Sequence, residues 1–419
     1  MSMSTIQNST MSQVYRAGTD YLKAPYFYKG LGYPESLISI LDPAKHRNFR
    51  NTIAPLFSPA SINLYAPRIH QLILKTASKI AEGLETGQPI SIQRLFRCFG
   101  VDMVYVTLFG RSDEFVEKYT QSHGLIESMD QFTDRMWLIK HFPFLNKFTQ
   151  RLPSRFQLPG YARFLKQCEN WVKETQARRA KGQMTTEEGI TTVFDAMLQP
   201  SEENDHRSRT LTELIDEAAL LIIAGSDTSA YTLTCATYYL LTTPLALAAL
   251  REELDSAKSS IQECNWGEIR KLPYLMAVIK ESLRLSTPVP GITPRVVPPS
   301  GATVQGYFIP GGTIVSMTHR SIHDNPNLFP DPEAFKPERW LGDQGKALDR
   351  WQVAFSKGSR QCVGSSLAYQ ELVLTLSHLF SRFDFELYDT DHYSMEWVDH
   401  AVAVNKRPVK VKVTKNRWA

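Results

Sequence analysis

Apolar residues recur at helical spacing through most of this chain and change to short alternating runs only after Pro288. From Ser61 to Glu85 the positions Ile62, Tyr65, Ile69, Leu72, Ile73 and Ile80 mark one amphipathic helix, and Arg94 to Phe109 reads as a second, nearly all-apolar one. Aromatic residues and prolines crowd between Ser112 and Gly160 (Phe132, Trp137, Phe142, Phe144, Phe148), followed by a polar helix through Lys181 and a charged connector from Gln183 to Arg209. Plain core is the simplest role for those aromatics. The strongest period runs from Leu211 to Leu241 and stops at Thr242-Thr243-Pro244, where Pro244 opens a helix to Lys258. A further helix spans Tyr274 to Leu285.

Beyond Pro288 the spacing predicts strands at Thr293 to Val297, Ala302 to Gln305, Tyr307 to Ile309 and Thr313 to Thr318, parted by Pro-Pro-Ser-Gly and Pro-Gly-Gly turns. Phe383 to Tyr388 and Val409 to Val413 predict a second small sheet. Residues 1–41 show no period and read as an irregular segment; no composition break divides 42–419. The prediction is a mainly α fold with small peripheral β-sheets (α+β), one domain over 42–419.

Apolar residues at 42%, charged residues at 21% and a net charge of +4 exclude a disordered chain and give no footprint of nucleic-acid binding. No run of 18 apolar residues occurs and Met1 to Thr19 is polar, so neither a membrane span nor a signal peptide can be read. Cys98, Cys168, Cys235, Cys264 and Cys362 show no paired spacing, which argues against a disulfide or zinc framework. The Asn8-Ser9-Thr10 triplet follows no secretory signal and is discounted. With no phosphate loop or dinucleotide fingerprint, the chain is not expected to bind NAD(P)H or flavin, and any electrons come from outside.

Candidate chemistry concentrates in Phe355-Ser-Lys-Gly-Ser-Arg-Gln-Cys-Val-Gly364, one cysteine in a glycine-bent loop ahead of an apolar helix. Gly358 and Gly364 permit positive φ and close approach, so backbone N–H groups can be aimed at the Cys362 sulfur. Arg360 adds a positive charge that lowers the thiol pKa or pairs a nearby anion, and Phe355 is an apolar plate over the site. Taken alone, a buried structural cysteine is the simpler reading. In the middle of the long apolar helix, Ala224-Gly225-Ser-Asp-Thr-Ser229 places an acid and a hydroxyl where they need partners or a purpose. A Thr228 bond back to the Ala224 carbonyl, with Gly225, predicts a loosened helix and a groove for O2 and water; Asp227 and Thr228 then relay protons, or serve as local backbone partners. Glu281 and Arg284, three apart, share a helix face.

The loop pattern Phe-x-x-Gly-x-Arg-x-Cys-x-Gly resembles the haem-binding loop of the cytochrome P450 family, and four motifs follow the family order from about Asp42 to Val413. The resemblance implies a haem-thiolate monooxygenase, similar to filamentous-fungal enzymes of specialised metabolism, lacking the usual N-terminal anchor, first helix and first strands. It implies heme b with Cys362 as axial thiolate, which favours O–O cleavage, and proton delivery by Asp227 and Thr228. Glu281, Arg284 and Arg339 of the Pro-Glu-Arg segment become a buried triad bracing the cysteine loop. Arg295, Arg360 and the pair His46 and Arg50 become candidates for the haem propionates, with His46 where the family often has tryptophan, or a solvated surface charge instead. The aromatic stretch falls where the family keeps a mobile substrate lid. Implied partners are an NADPH-cytochrome P450 reductase and a lipophilic small molecule, a terpenoid or polyketide, at a cytoplasmic or peripheral endoplasmic-reticulum location. A peroxide-driven peroxygenase and a non-catalytic haem-binding remnant are the alternatives.

Overall fold

The computed structural model describes residues 11–121, 124–142, 159–186, 189–199 and 209–419. Phe144, Phe148, the Asn8-Ser9-Thr10 triplet and part of the charged connector lie outside the described residues. The helices that build the body are α1 (Pro43–Ile53), α2 (Ala66–Thr86), α3 (Ile92–Phe109), α4 (Gly124–His141), α5 (Pro159–Ala180), α6 (Leu211–Thr242), α7 (Pro244–Ser256), α8 (Pro273–Ser286) and α9 (Ser365–Arg382). α2, α3 and α5 to α8 fall within a few residues of the helices read from the sequence, because a long apolar stripe leaves only one face to bury, whereas α4 stands in the aromatic and proline-rich stretch where the sequence predicts no helix.

Two glycines set how α3 and α6 cross. A Cβ on Gly100 would lie 2.7 Å from the Ser226 carbonyl oxygen, and one on Gly225 would lie 2.6 Å from Val104 Cγ2. Backbone therefore meets backbone at this crossing; α3 is buried from Cys98 to Phe109, and α6 through Asp216 to Ile223 and Ser229 to Thr237. The start of α6 is fixed by a capping box, Thr210 accepting from the Glu213 N–H while the Glu213 carboxylate accepts from the Thr210 N–H. Phe132 of α4 is fully buried and stacks on Tyr33 and Tyr161, with ring centroids 5.8 and 5.2 Å away. Trp137 and Phe142, on the same stretch, are exposed.

The strands are short and peripheral. In one sheet β1 (Leu22–Lys23), β3 (Arg295–Val296) and β6 (Ile314–Val315) lie in the order β1-β3-β6, all antiparallel, with Lys23 opposite Arg295. A second sheet carries β2 (Ile90–Ser91), β10 (Lys410–Asn416) and β7 (Phe383–Leu387) in the order β2-β10-β7, and hairpins pair β4 (Ala302–Val304) with β5 (Tyr307–Ile309) and β8 (Trp397–Asp399) with β9 (Ala403–Asn405).

Residues 11–41 depart from the irregular segment expected. They hold β1 and a helical turn at Pro25–Tyr28, and Phe27, Tyr28, Leu31, Tyr33 and Leu37 join the main core. A two-residue strand is too short to show a period of two, and its partner lies some 270 residues away. Among the described residues no single helix is long and apolar enough to cross a membrane.

Candidate active site

The Phe355–Gly364 loop is closed by the Cys362 N–H, which donates to the Phe355 carbonyl at 2.9 Å. Gly358 has φ +72°, and a Cβ there would come within 2.1 Å of the Tyr15 carbonyl oxygen, so only glycine lets the N-terminal segment lie against the loop. Gly364 differs from expectation. Its φ is −86°, which any residue tolerates, and its part is to cap α9 while its N–H bonds the Cys362 sulfur. Cys362 is exposed as a residue, while protein is dense around its sulfur. Burial accordingly raises the thiol pKa, with the Gly364 N–H and then Arg50 acting in the other direction. Arg50, rather than Arg360, is the cation that acts on the sulfur; it also donates to the Gln361 carbonyl at 2.7 Å. The Phe355 ring packs at 5.3 Å from Tyr369 and covers one side of the loop.

Around this loop five basic side chains (Lys23, His46, Arg50, Arg295 and Arg360) converge from four parts of the chain. Arg360 donates to the carbonyls of Ile40 and Leu41 at 2.8 and 3.0 Å, Arg295 to the Tyr28 hydroxyl at 2.7 Å, and Lys23 to the Ile38 carbonyl. Lys23, His46 and Arg295 are buried. Among the described residues no carboxylate lies within ion-pair distance of any of the five. The electrostatic strain is legible: burial, then Arg360, Lys23 and Arg50, take His46 down to about 3, while burial and then Arg360 and Arg295 hold Lys23 well below the ordinary lysine range. Burial and the neighbouring Arg295 also bring Arg360 down to about 10. Buried like charges of this kind are costly unless an anion joins them.

Halfway along α6, the Thr228 hydroxyl donates to the Ala224 carbonyl at 2.8 Å, as the sequence predicts. The predicted loosening does not occur: α6 is helical without a break, because Gly225 is turned to Val104 and serves the α3 crossing. Ala224 is nonetheless exposed, between Ile223 at 3% and Ser226 at 0%, so a small open face exists without a kink. Asp227 does not stand free beside Thr228. Its two oxygens accept from Arg97 Nε and Nη2 of α3 at 2.9 and 3.4 Å, and Nη2 also meets Asp130 of α4 at 2.5 Å. Val289 and Ile292, after α8, are exposed apolar side chains.

Glu281, Arg284 and Arg339 come together as expected, all buried. One Glu281 oxygen accepts from Arg284 Nη2, the Lys336 N–H and Arg339 Nε at 2.8, 3.0 and 3.1 Å; the other accepts from Arg284 Nε and Trp340 Nε1 at 2.9 and 2.8 Å. Arg284 continues to the His323 carbonyl at 2.9 Å, and the Val353 N–H donates to His323 Nε2 at 3.2 Å. Accepting at Nε2 places the His323 proton on Nδ1, facing the Thr287 hydroxyl at 3.2 Å. The triad thus reaches the strand of chain that enters the cysteine loop.

Sequence reasoning misses Lys23, Arg97 and Asp130. Lys23 lies in a segment with no period. Arg97 carried a usable signal, since an arginine inside a nearly all-apolar helix needs a partner.

The donor set fits haem: one sulfur for iron, and a carboxylate-free ring of cations for two propionates. The sequence model of the cytochrome P450 family matches residues 6–413. The chain is 36% identical over 411 residues to cytochrome P450 monooxygenase aneF of Aspergillus aculeatus, covering 97% of this chain and 83% of that protein. It is 39% identical over 420 residues to cytochrome P450 monooxygenase phqM of Penicillium fellutanum (98% and 78%), and 35% identical over 412 residues to cytochrome P450 monooxygenase penB of Penicillium thymicola (97% and 92%). The chain belongs to the cytochrome P450 family. It is a monooxygenase of that family, an oxidoreductase with fungal relatives.

Proposed function

We propose that this chain inserts one oxygen atom from O2 into a lipophilic small molecule, in a fungal secondary-metabolic step leading to a terpenoid or polyketide. The observation that supports this reading most is the group of basic side chains around the loop of Cys362 with no carboxylate within ion-pair distance among the described residues. In this reading Cys362 holds the iron of heme b as its axial thiolate, and Arg295, Arg360, His46, Arg50 and Lys23 take the propionates. When bound, heme b supplies the oxidising power that activates O2.

The chain's own residues do the rest. Phe355 and Tyr369 keep water from the sulfur. Ala224, Val289 and Ile292 offer an apolar surface to the substrate. Thr228 commits its hydroxyl hydrogen to the Ala224 carbonyl, which leaves the oxygen free to accept a proton donor on its open side. Asp227, held by Arg97, passes protons toward that hydroxyl. Electrons reach the Cys362 side from an NADPH-cytochrome P450 reductase, at a cytoplasmic or peripheral endoplasmic-reticulum location.

The test is the optical spectrum of the reduced, carbon-monoxide-bound protein, followed by turnover with NADPH and reductase. A Soret band far to the red of an imidazole complex, with oxygenated product, is expected. A band without that shift rejects thiolate ligation; product with hydrogen peroxide alone favours a peroxygenase, and a shifted band with no product favours a non-catalytic haem protein.

A further inference from the structure

A cavity of 560 Å3 lies between the end of α3, the last turns of α5 and residues 182–186, and it shares no lining residue with the loop of Cys362 or with Asp227 and Thr228. Its size falls within the range of about 300–1,000 Å3 that small-molecule sites occupy. Phe109 and Trp171 give it an apolar wall, their rings tilted against each other at 5.8 Å, and Met184, 52% exposed, stands at its rim. The site is preformed. A Cβ on Gly110, whose φ is +71°, would lie 2.4 Å from Thr186 Cγ2, so only glycine lets the rim close on the end of α3. Arg178 Nη1 donates to the Thr185 and Gln183 carbonyls at 2.6 and 3.4 Å and ties the same rim to α5.

The polar part of the lining is rich in donors. Three guanidinium groups, Arg68, Arg111 and Arg178, line the cavity against one carboxylate, Glu174. Arg111 donates through Nη1 to Glu174 and through Nε and Nη2 to Asp113 at 2.9 and 2.6 Å, while Arg178 pairs with Asp195 and Arg68 donates to the Gly110 carbonyl at 2.8 Å. Asp113 and Asp195 lie outside the lining, so the surface offered to a ligand is positive. One donor is left over. Trp171 is 98% buried, taking its 2% exposure from the whole, and its Nε1–H has no hydrogen-bond partner. A buried N–H without an acceptor is costly, and an acceptor-rich ligand would remove that cost.

We propose that this cavity is a second small-molecule site, which takes an amphipathic organic acid with its apolar body on Phe109, Trp171 and Met184 and its carboxylate among the guanidinium groups. Arginine forks match a planar carboxylate and also stack on flat rings, which favours an aromatic acid over a compact inorganic anion. The site is separate from the oxygenation reading given above and does not depend on it.

The experiment uses the haem-loaded full chain with two probes, 2-naphthoate and its uncharged counterpart 2-naphthamide. Affinity is read by titration calorimetry and location by amide hydrogen exchange. The parent should bind 2-naphthoate with a Kd of about 0.1–1 mM and 2-naphthamide about tenfold more weakly, with exchange slowed by the acid in the last turns of α5 and at residues 182–186. Met184→Glu should weaken 2-naphthoate binding about tenfold and Trp171→Phe, which keeps a ring but removes the N–H, about threefold. Glu174→Gln removes the one negative charge of the lining and should strengthen binding about threefold. Met184 and Glu174 have exposed side chains, so both changes spare the core, and their opposite expected signs separate charge from loss of fold. Slowed exchange confined to α6 around Ala224 would put the acid in the oxygenation site alone and overturn the proposal. Equal affinity for acid and amide would do the same, as would a Glu174→Gln variant that binds no more tightly than the parent, or no binding at about 10 mM.

Discussion

Replacing Glu281 by glutamine changes one atom and tests how the cysteine loop is held. The carboxylate accepts five hydrogen bonds with no exposed surface, three on one oxygen and two on the other. A glutamine has a single acceptor oxygen. Turned to keep the three bonds from Arg284, Lys336 and Arg339, it points its NH2 at Arg284 Nε and Trp340 Nε1, donor against donor. Turned the other way, it opposes three donors. Either orientation also leaves Arg284 and Arg339 buried with no negative charge between them, although Arg284 alone has 0% of its side chain exposed. Breaking a buried pair in this manner costs about 3–5 kcal/mol, against a total stability of about 5–15 kcal/mol for a folded domain. The loss should travel through Arg284, His323 and Val353 into the loop itself. Urea unfolding of Glu281→Gln should therefore show a midpoint reduced by about a fifth or more, and the fraction of purified protein carrying haem should fall sharply. Faster exchange at the Val353 amide should accompany both. An unchanged midpoint with full haem loading would refute the view that this carboxylate organises the region.

Four further outcomes follow from the same geometry. Cys362→Ser should abolish the red-shifted carbon-monoxide band while secondary structure by circular dichroism is retained. Gly225→Ala brings a methyl within 2.6 Å of Val104 Cγ2 and should lower stability by about 1–3 kcal/mol in urea titration; the double change with Val104→Ala should recover most of it. If Lys23 holds a propionate as proposed, Lys23→Met should accelerate haem transfer to apomyoglobin about tenfold, the equivalent of about 1.4 kcal/mol. Glu371, buried on α9, is raised to about 8, first by desolvation, with a Ser229 hydrogen bond acting against it. A carboxyl raised above its unfolded value favours the fold at low pH and loses that contribution as pH climbs toward 8. Glu371→Gln should thus gain on the parent by about 1 kcal/mol per pH unit between pH 5 and 8, read as urea midpoints, and a pH-independent difference would contradict it.

The helices were legible because each buries a continuous stripe, and Leu211–Thr242 needs no tertiary information to be seen. The cysteine loop was legible for another reason, since its glycines and charged residues occupy adjacent positions in the chain. The strands near Arg295 were seen through their turns rather than their own length. What escaped was whatever is assembled across distance. Lys23 pairs with Arg295 as strand neighbours, and Arg97 meets Asp130 and Asp227 across two helix crossings. Gly225 was visible but misassigned, because a glycine beside an acid and a hydroxyl reads as local flexibility when the partner helix is unknown.

That misassignment has a structural lesson for the site. A loosened helix would have let Asp227 and Thr228 move together, whereas an unbroken α6 fixes the spacing of Ala224, Asp227 and Thr228 on successive turns. The charge that meets the acid comes from α3, whose Arg97 also meets Asp130 of α4. The cation ring follows the same division. Its backbone supports, β1, β3, α1 and the loop closed on Phe355, are fixed by strand pairing and hydrogen bonds, while the charges they present repel one another. A rigid frame holding uncompensated charge binds its counter-ion without reorganising.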